Sequence, residues 1–422
     1  MSGWEMVAVR DVADVFDGPH ATPAKTEDGP WYLSISSLSN GRFRFAQSAH
    51  LSDVDLPRWT KRVAPRPGDT LFSYETRLGE AAYWDHDVPA ALGRRMGLLR
   101  PKQGKVEPRY LAYAYLGPQF QDVIREKTLH GATVNRIPVG EMPSWPILLP
   151  QIEDQRAILG VLDAMDDLIE NNRRRVAVLE EMARAIYREW FVKFRYPGHE
   201  DVPLVDSTLG PIPEGWRTCT VNDLCSRIQA GSTPKRSEPA FWDDPEVDWY
   251  KTGDLTDSVL IHSSEQVSRT ALLKGRVFDP ETILMAIYGS PTVGRLGLVE
   301  EPSSANQAAL GLVADDAVAT TEYLWFVLSG LRGHLNVIAQ GAAQQNVSKE
   351  KVATAEVLRP PLSLVLEFTE AVRHPWRLSH VLQRESSKLT ELRDLLLPKL
   401  VTGQIDLSAL DLDALAAEGA GS

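Results

Sequence analysis

The chain carries its own pattern twice, with a period near half its length, and a duplication on that scale has to be explained before any single motif. VADVFDGPHATPAK answers VNDLCSRIQAGSTPK, which pairs Asp14 with Asp223 and Thr22-Pro23 with Thr233-Pro234. Trp31-Tyr32 falls opposite Trp249-Tyr250, GDTLFS (68–73) opposite PETILMA (280–286), and YLAYAYLG (110–117) opposite YLWFVLSG (323–330). GATVNRIPVGEMPSWPILLP (131–150) has the length of GAAQQNVSKEKVATAEVLRP (341–360). Six pairs in one order exceed what chance supplies, so the chain reads as a pseudo-twofold repeat of one architecture.

Within each copy the residues before Pro150 or Pro360 are short apolar runs broken by Gly, Pro and Asp, as in TILMAIYGSPTVGRLGLVEE, which is the pattern of strands and turns. YLAYAYLGPQFQDVIREK and its counterpart are apolar and compatible with one or two helices, so each copy is expected to be α+β. Past each proline the period becomes helical. Ile158, Leu162, Met165, Ile169, Asn172, Val176, Leu179, Ala183, Ile186 and Trp190 recur at alternating steps of four and three, a heptad seam with one polar member, Asn172. The segment Ile152–Phe194 would make a rod of about 65 Å. Leu378, Leu382, Glu385, Leu389, Leu392 and Leu396 repeat the steps in the second copy, where Pro375 should kink or delay the helix and Pro398 should end it. Each seam needs a partner, and the nearest is the other helix.

The expected divisions are a globular domain over 1–150, a helical spacer over 151–195, a Pro-, Gly- and Asp-rich linker over 196–215, a second domain over 216–360, a second spacer over 361–403 and a tail over 404–422. The length of 422 residues, at roughly 100–200 per domain, agrees with several domains. Two cysteines, Cys219 and Cys225, cannot frame disulfides or a zinc site and point to a reducing cytoplasm. The acidic N-terminus MSGWEMVAVRDVADV lacks the apolar core of a secretion signal, and no apolar run approaches a membrane span.

The net charge of −12 argues against indiscriminate binding to polyanions. Its distribution is uneven, however. Residues 1–150 hold 18 basic and 17 acidic side chains, whereas 201–360 hold 13 and 21. A DNA-binding reading therefore needs local basic faces and charge borrowed from a partner.

Motifs of catalysis are missing: there is no GxxxxGK[ST] loop, no HExxH pair, no GxSxG elbow, and no Asp/Asn-Pro-Pro-aromatic tetrapeptide. His20, in GPHATP, is either a turn residue or a contact to base or phosphate. Arg58, Lys61, Arg62 and Arg66 lie together in the first copy, with Arg77 and the pair Arg94-Arg95 beyond. The second copy offers Thr233, Lys235 and Arg236 in GSTPKRS, Lys251 beside Tyr250, and Arg295, together with the amide cluster Gln344, Gln345, Asn346 and Lys349. Arg and Lys suit phosphates and guanine, and Gln and Asn can pair bidentately with adenine. Solvated loop residues are the competing reading at every one of these positions.

Taken together the chain resembles the specificity subunit of Type I restriction-modification systems over nearly its whole length. The resemblance rests on GSTPKRSEPAFW with WYKTGDL, the IPEGW opening, NQAALGLV, ILLPQIEDQRAILGVLDAMDDLIENNRRRVAVLEEMARAIYREWF and LTELRDLLLPKLVTGQI. It implies two target recognition domains of mixed α/β structure, each followed by a spacer helix, the two helices packed as an antiparallel coiled coil. Each domain would read half of a bipartite double-stranded DNA target. The helices, through Ile158, Leu162, Met165, Ile169, Asn172, Leu179, Ile186, Leu382, Leu389, Leu392 and Leu396, would form the spacer and subunit interface. Two methyltransferase subunits and two restriction motor-nuclease subunits would be the partners. The chain would be non-catalytic with no metal or cofactor of its own, S-adenosylmethionine, ATP and Mg belonging to the partners. One departure is PPLSLVLEFTE in the second copy, which lacks the glutamine that PQIEDQ keeps in the first. The rivals are a protein-binding scaffold or adaptor in a related defence system without restriction, and an enzyme with an unfamiliar site.

Overall fold

In a computed structural model the description covers residues 4–405 except 40, 132, 133, 290, 291 and 341–345, and omits the side chains of 274 and 340. The expected tail therefore lies outside the described residues from 406 onward. The described residues form two compact units, one within 1–168 and 389–422 and the other within 169–388.

The first unit is built on a four-stranded antiparallel sheet in the order Ala13–Asp17, Met96–Pro101, Thr70–Ser73, Ala81–Tyr83. A second, small sheet sets Thr26–Tyr32 between Ala49–His50, antiparallel, and Ala90–Ala91, parallel. A third pairs Glu5–Ala8 with Pro146–Leu149. Helices Pro108–Leu116 and Pro118–Lys127 cover the main sheet and bury Tyr110, Tyr115 and Phe120; Pro118, which occupies a first-turn position where its missing N–H costs nothing, separates them.

The second unit repeats this plan. Its main sheet runs Cys225–Ala230, Ala309–Ala314, Ile283–Ala286, Leu296–Leu298, with Ser258–Val259 added in parallel at the edge. Val247–Tyr250 lies between Gln266–Val267, antiparallel, and Ser304–Ala305, parallel, and Arg217–Thr220 pairs with Glu356–Arg359. Trp31-Tyr32 and Trp249-Tyr250 hold the same place, each opposite a parallel two-residue strand. One helix, Thr321–Gln340, replaces the broken pair of the first copy.

The equivalence of Asp14 with Asp223 does not hold. The Asp223 carboxylate accepts the Thr220 N–H at 2.8 Å, and in the first copy it is Asp11 that accepts from Ala8 at 3.2 Å. The next amides agree: Val9 donates to Trp145 O and Val221 to Ala355 O. Asp11 closes the same short turn, while Asp14 has moved on into a strand.

The long helices run Ile152–Tyr187, with a wider π turn over Arg188–Val192, and Leu362–Val401. In the first unit Ile158 and Leu162 share a core with Leu400 and Val401. In the second, buried Asn172 donates to Glu385 Oε2 at 3.0 Å, and Ala183 shares a core with Phe368 and Trp376. Within each unit the helices are thus antiparallel. The start of the first is fixed by Gln155, whose amide donates to Pro150 O and accepts the Glu107 N–H, both at 2.9 Å. At the equivalent point past Pro360 the second helix has buried Val365, so an apolar side chain in the core takes the place of the missing glutamine.

Two expectations for the second helix fail. It continues unbroken through Pro375, and Pro398 lies inside its last turn. A proline costs a helix about 3 kcal/mol, but Val372 and Trp376 on either side of Pro375 are buried in the core, and tertiary packing supplies most helical stability. Leu392 is 42% exposed, and Arg393 beside it is buried in its stead. Of the other seam residues, Ile158, Leu162, Ile169, Asn172 and Leu382 are buried, while Met165, Leu179, Ile186, Leu389 and Leu396 are half-buried. Among the described residues no helix is long and apolar enough to cross a membrane.

Candidate nucleic-acid interface

Antiparallel order brings alternate strand ends to one edge of each main sheet, and the loops of His20, Arg77, Arg94 and Arg95 in the first copy and of Thr233 in the second leave from there. In the first copy Ala13–Asp17 runs out into the His20 loop, Thr70–Ser73 into the Arg77 hairpin, and Met96–Pro101 begins just after Arg94 and Arg95. Backbone bonds tie these loops together: Gly18 N–H donates to Met96 O at 2.9 Å, Tyr74 to Arg95 O at 3.1 Å and Ile137 to Tyr74 O at 2.8 Å. A Cβ on Gly18 would lie 2.2 Å from Met96 O, so only glycine allows that approach.

The side chains on this edge fall into two groups. His20 Nε2 sits 3.0 Å from Asp17, Arg62 reaches the same carboxylate at 3.7 Å, Arg95 pairs with Glu75 at 2.9 Å, and Arg77 holds Glu80 and the Ile35 and Ser36 carbonyls. These charges brace the loops. Arg58, Lys61 and Arg94 are exposed and make no ion pair among the described residues. Arg58 lies 5.9 Å over Trp59, whose ring edges Tyr32, and the Tyr32 hydroxyl accepts the Arg94 N–H at 2.9 Å.

The second copy builds its edge in the same way. Gly231 donates to Ala309 O, Asn306 to Tyr250 O, Ile287 to Ala308 O and Val347 to Ile287 O, each at 2.9 Å. Thr233 donates its hydroxyl hydrogen bond to Gln307, and Asn346 bridges the backbone of exposed Tyr288. Arg236 forks onto Glu265, packs 3.7 Å over Trp242 and 5.2 Å from Trp249, and Lys251 meets the same carboxylate at 2.7 Å. Hydrogen bonds from Arg236 and then Lys251 lower Glu265 to about 2. Lys235 and Lys349 are exposed, and Arg295 is half-buried, its carbonyl accepting the Ala286 N–H at 2.9 Å. Gln344 and Gln345 lie outside the described residues.

Glu265, Trp242, Gln307 and Tyr288 were not singled out from the sequence. The quoted segments NQAALGLV and GSTPKRSEPAFW contain Gln307 and Trp242, and no segment pointed toward Glu265 or Tyr288. Burial pushes the thiols of Cys219 and Cys225 up to about 11 and about 12, which suits structural rather than nucleophilic cysteines. Among the described residues no cluster of His, Cys, Asp or Glu could hold a metal ion. Each edge thus offers cations for phosphates, and the second adds a side-chain amide that could address base edges.

Comparison with known proteins matches residues 1–181 and 213–364 to the Type I restriction modification DNA specificity domain. A relative from Methanocaldococcus jannaschii, the Type I restriction enzyme MjaIX specificity subunit, is 23% identical over 96% of this chain and 94% of its own. The HindI specificity subunit of Haemophilus influenzae is also 23% identical, over 89% of this chain and 94% of its own. The crystal structure of a Type-I restriction-modification S subunit from M. genitalium shares the fold, with a TM-score of 0.61 at 14% identity, covering 94% of this chain and 96% of that one.

Proposed function

The chain belongs to the family of Type I restriction-modification DNA specificity proteins, and from that premise we propose that it is the sequence-recognition subunit of such a complex, each of its two domains reading one half of a split DNA target. The observation that carries the division of labour is the duplicated sheet edge. Two copies of one architecture present basic and polar loops from equivalent strand ends, yet with different side chains, as two readers of different half-sites require. Phosphate contacts position such a reader, and base-edge contacts specify.

On this reading the long helices are the spacer between the half-sites and the platform on which methyltransferase subunits, and motor-nuclease subunits in a restricting system, dock. Methyl transfer to a base needs that base out of the stack, and that chemistry, with S-adenosylmethionine, is assigned to the partner. The test is to purify the chain with and without the methyltransferase subunit. The joint complex is expected to bind and methylate duplex DNA in a sequence-dependent way, and the chain alone to transfer no methyl group. Methylation by the chain alone would overturn the assignment.

A further inference from the structure

In the second domain both basic side chains nearest the aromatic pair Trp242 and Trp249 are already occupied by one carboxylate. Arg236 donates two parallel bonds to Glu265, the Nη2–Oε2 arm at 3.0 Å, and Lys251 Nζ lies 2.7 Å from Oε2. An arginine fork across two oxygens, with a lysine on one of them, is also a way to hold the two free oxygens of a phosphodiester. The cluster is open to solvent: the Arg236 side chain is 54% exposed and Lys251 39%. Arg236 is kept in place by the Trp242 ring 3.7 Å beneath it, while the Trp242 Nε1 donates to Lys235 O at 3.2 Å, so the guanidinium plane is positioned independently of Glu265.

In the first domain Asp17 takes His20 at 3.0 Å and Arg62 at 3.7 Å, but among the described residues no carboxylate there holds an arginine fork and a lysine together. Trp31, the counterpart of Trp249, packs on His50 at 4.1 Å and Phe45 at 4.6 Å, and Arg58, Lys61 and Arg94 carry no carboxylate partner among the described residues. The first domain thus keeps three exposed cations with no carboxylate partner among the described residues, whereas Arg236 and Lys251 share one.

We propose that Arg236 and Lys251 form a DNA-backbone phosphate site that Glu265 occupies as an internal stand-in, so that a phosphate must displace the carboxylate before the second domain engages. The inference rests on the DNA-recognition reading above and adds to it a device against sequence-independent binding. Exchange of one anion for another leaves little net gain at a random site, and base contacts must then tip the balance.

The experiment compares the full chain with its methyltransferase subunits, wild type and Glu265→Gln, on a mixed-sequence duplex and on the complex's own target across a salt series. Glu265→Gln should bind the mixed duplex about 3- to 10-fold more tightly, the value of one or two released surface pairs. Its log–log salt slope should steepen by up to about 0.9 per freed cation. The double variant Arg236→Gln/Lys251→Gln should bind more weakly, and adding Glu265→Gln to it should change nothing. Melting curves report folding, and Glu265→Ser serves where glutamine disturbs it. Unchanged or weaker binding by a folded Glu265 variant, with the wild type binding normally, overturns the stand-in alone. A wild-type complex that binds neither duplex overturns the recognition reading and the inference with it.

Discussion

Asp166 and Arg393 lie 227 residues apart in the chain and 2.9 Å apart in the fold, each with a side chain only 7% exposed. The carboxylate also accepts from Tyr113 Oη at 2.7 Å and from Arg42 Nη2 at 2.7 Å, so the two long helices and the first domain of one unit meet on a single buried charge. Removing one partner of a buried pair typically costs 3–5 kcal/mol, because the other is left desolvated. With Arg42 still present, Arg393→Met is expected to destabilise by about 3 kcal/mol. Thermal unfolding checks this, and an unchanged midpoint for Arg393→Met would contradict it.

The same site sets an acid limit. Burial raises the Asp166 carboxyl, but hydrogen bonds from Arg42 and Arg393 outweigh it and leave the group below its ordinary value. A depressed folded value means that the contribution is complete above the unfolded carboxyl range and lost as pH falls below about 4. His380 acts at higher pH. Burial, and then the Arg384 charge, lower it to about 4, while Glu300 stands 3.7 Å away and the Trp376 ring packs at 4.9 Å. Protonation therefore destabilises the fold, by up to about 3 kcal/mol, as pH falls from 6.5 to 4. Melting temperature against pH should fall less steeply over that window in His380→Gln.

On the first domain, Arg58→Gln, Lys61→Gln and Arg94→Gln should each weaken DNA binding by the complex on every sequence alike. The log–log salt slope should become shallower by up to about 0.9 for each phosphate that is no longer neutralised. Fluorescence anisotropy over a salt series measures both, and a variant with unchanged slope takes that residue out of the interface.

If the helices are the ruler, adding one heptad to each lengthens the seam by about 10 Å, or about three base pairs of duplex. The recognised gap should grow by that amount with both half-sites unchanged. A change of half-site in place of the gap removes the spacer role from the helices.

Much of this fold is legible in the residues. Trp31-Tyr32 and Trp249-Tyr250 mark the same strand in both copies, and the four-three spacing from Ile158 marks the first helix. The rest depends on contacts between distant segments. Nothing local tells that Arg393 is buried in preference to Leu392, since its partner Asp166 lies in the other half of the chain. Pro375 reads as a break because the buried Val372 and Trp376 that hold the helix around it act through tertiary packing. At the candidate interface the basic residues could be named, but not sorted. Arg77 and Arg95 turn out to brace loops, and Arg236 to be clasped by Glu265, a residue 29 positions away in sequence.

The most direct test of the account is a methylome, read from cells that carry this chain with its methyltransferase subunit and from cells that lack only this chain. The account predicts methyladenine in a motif of two fixed half-sites separated by a gap of constant length, present only when the chain is. An unchanged methylome, with the methyltransferase subunit shown to be bound and soluble, would contradict it.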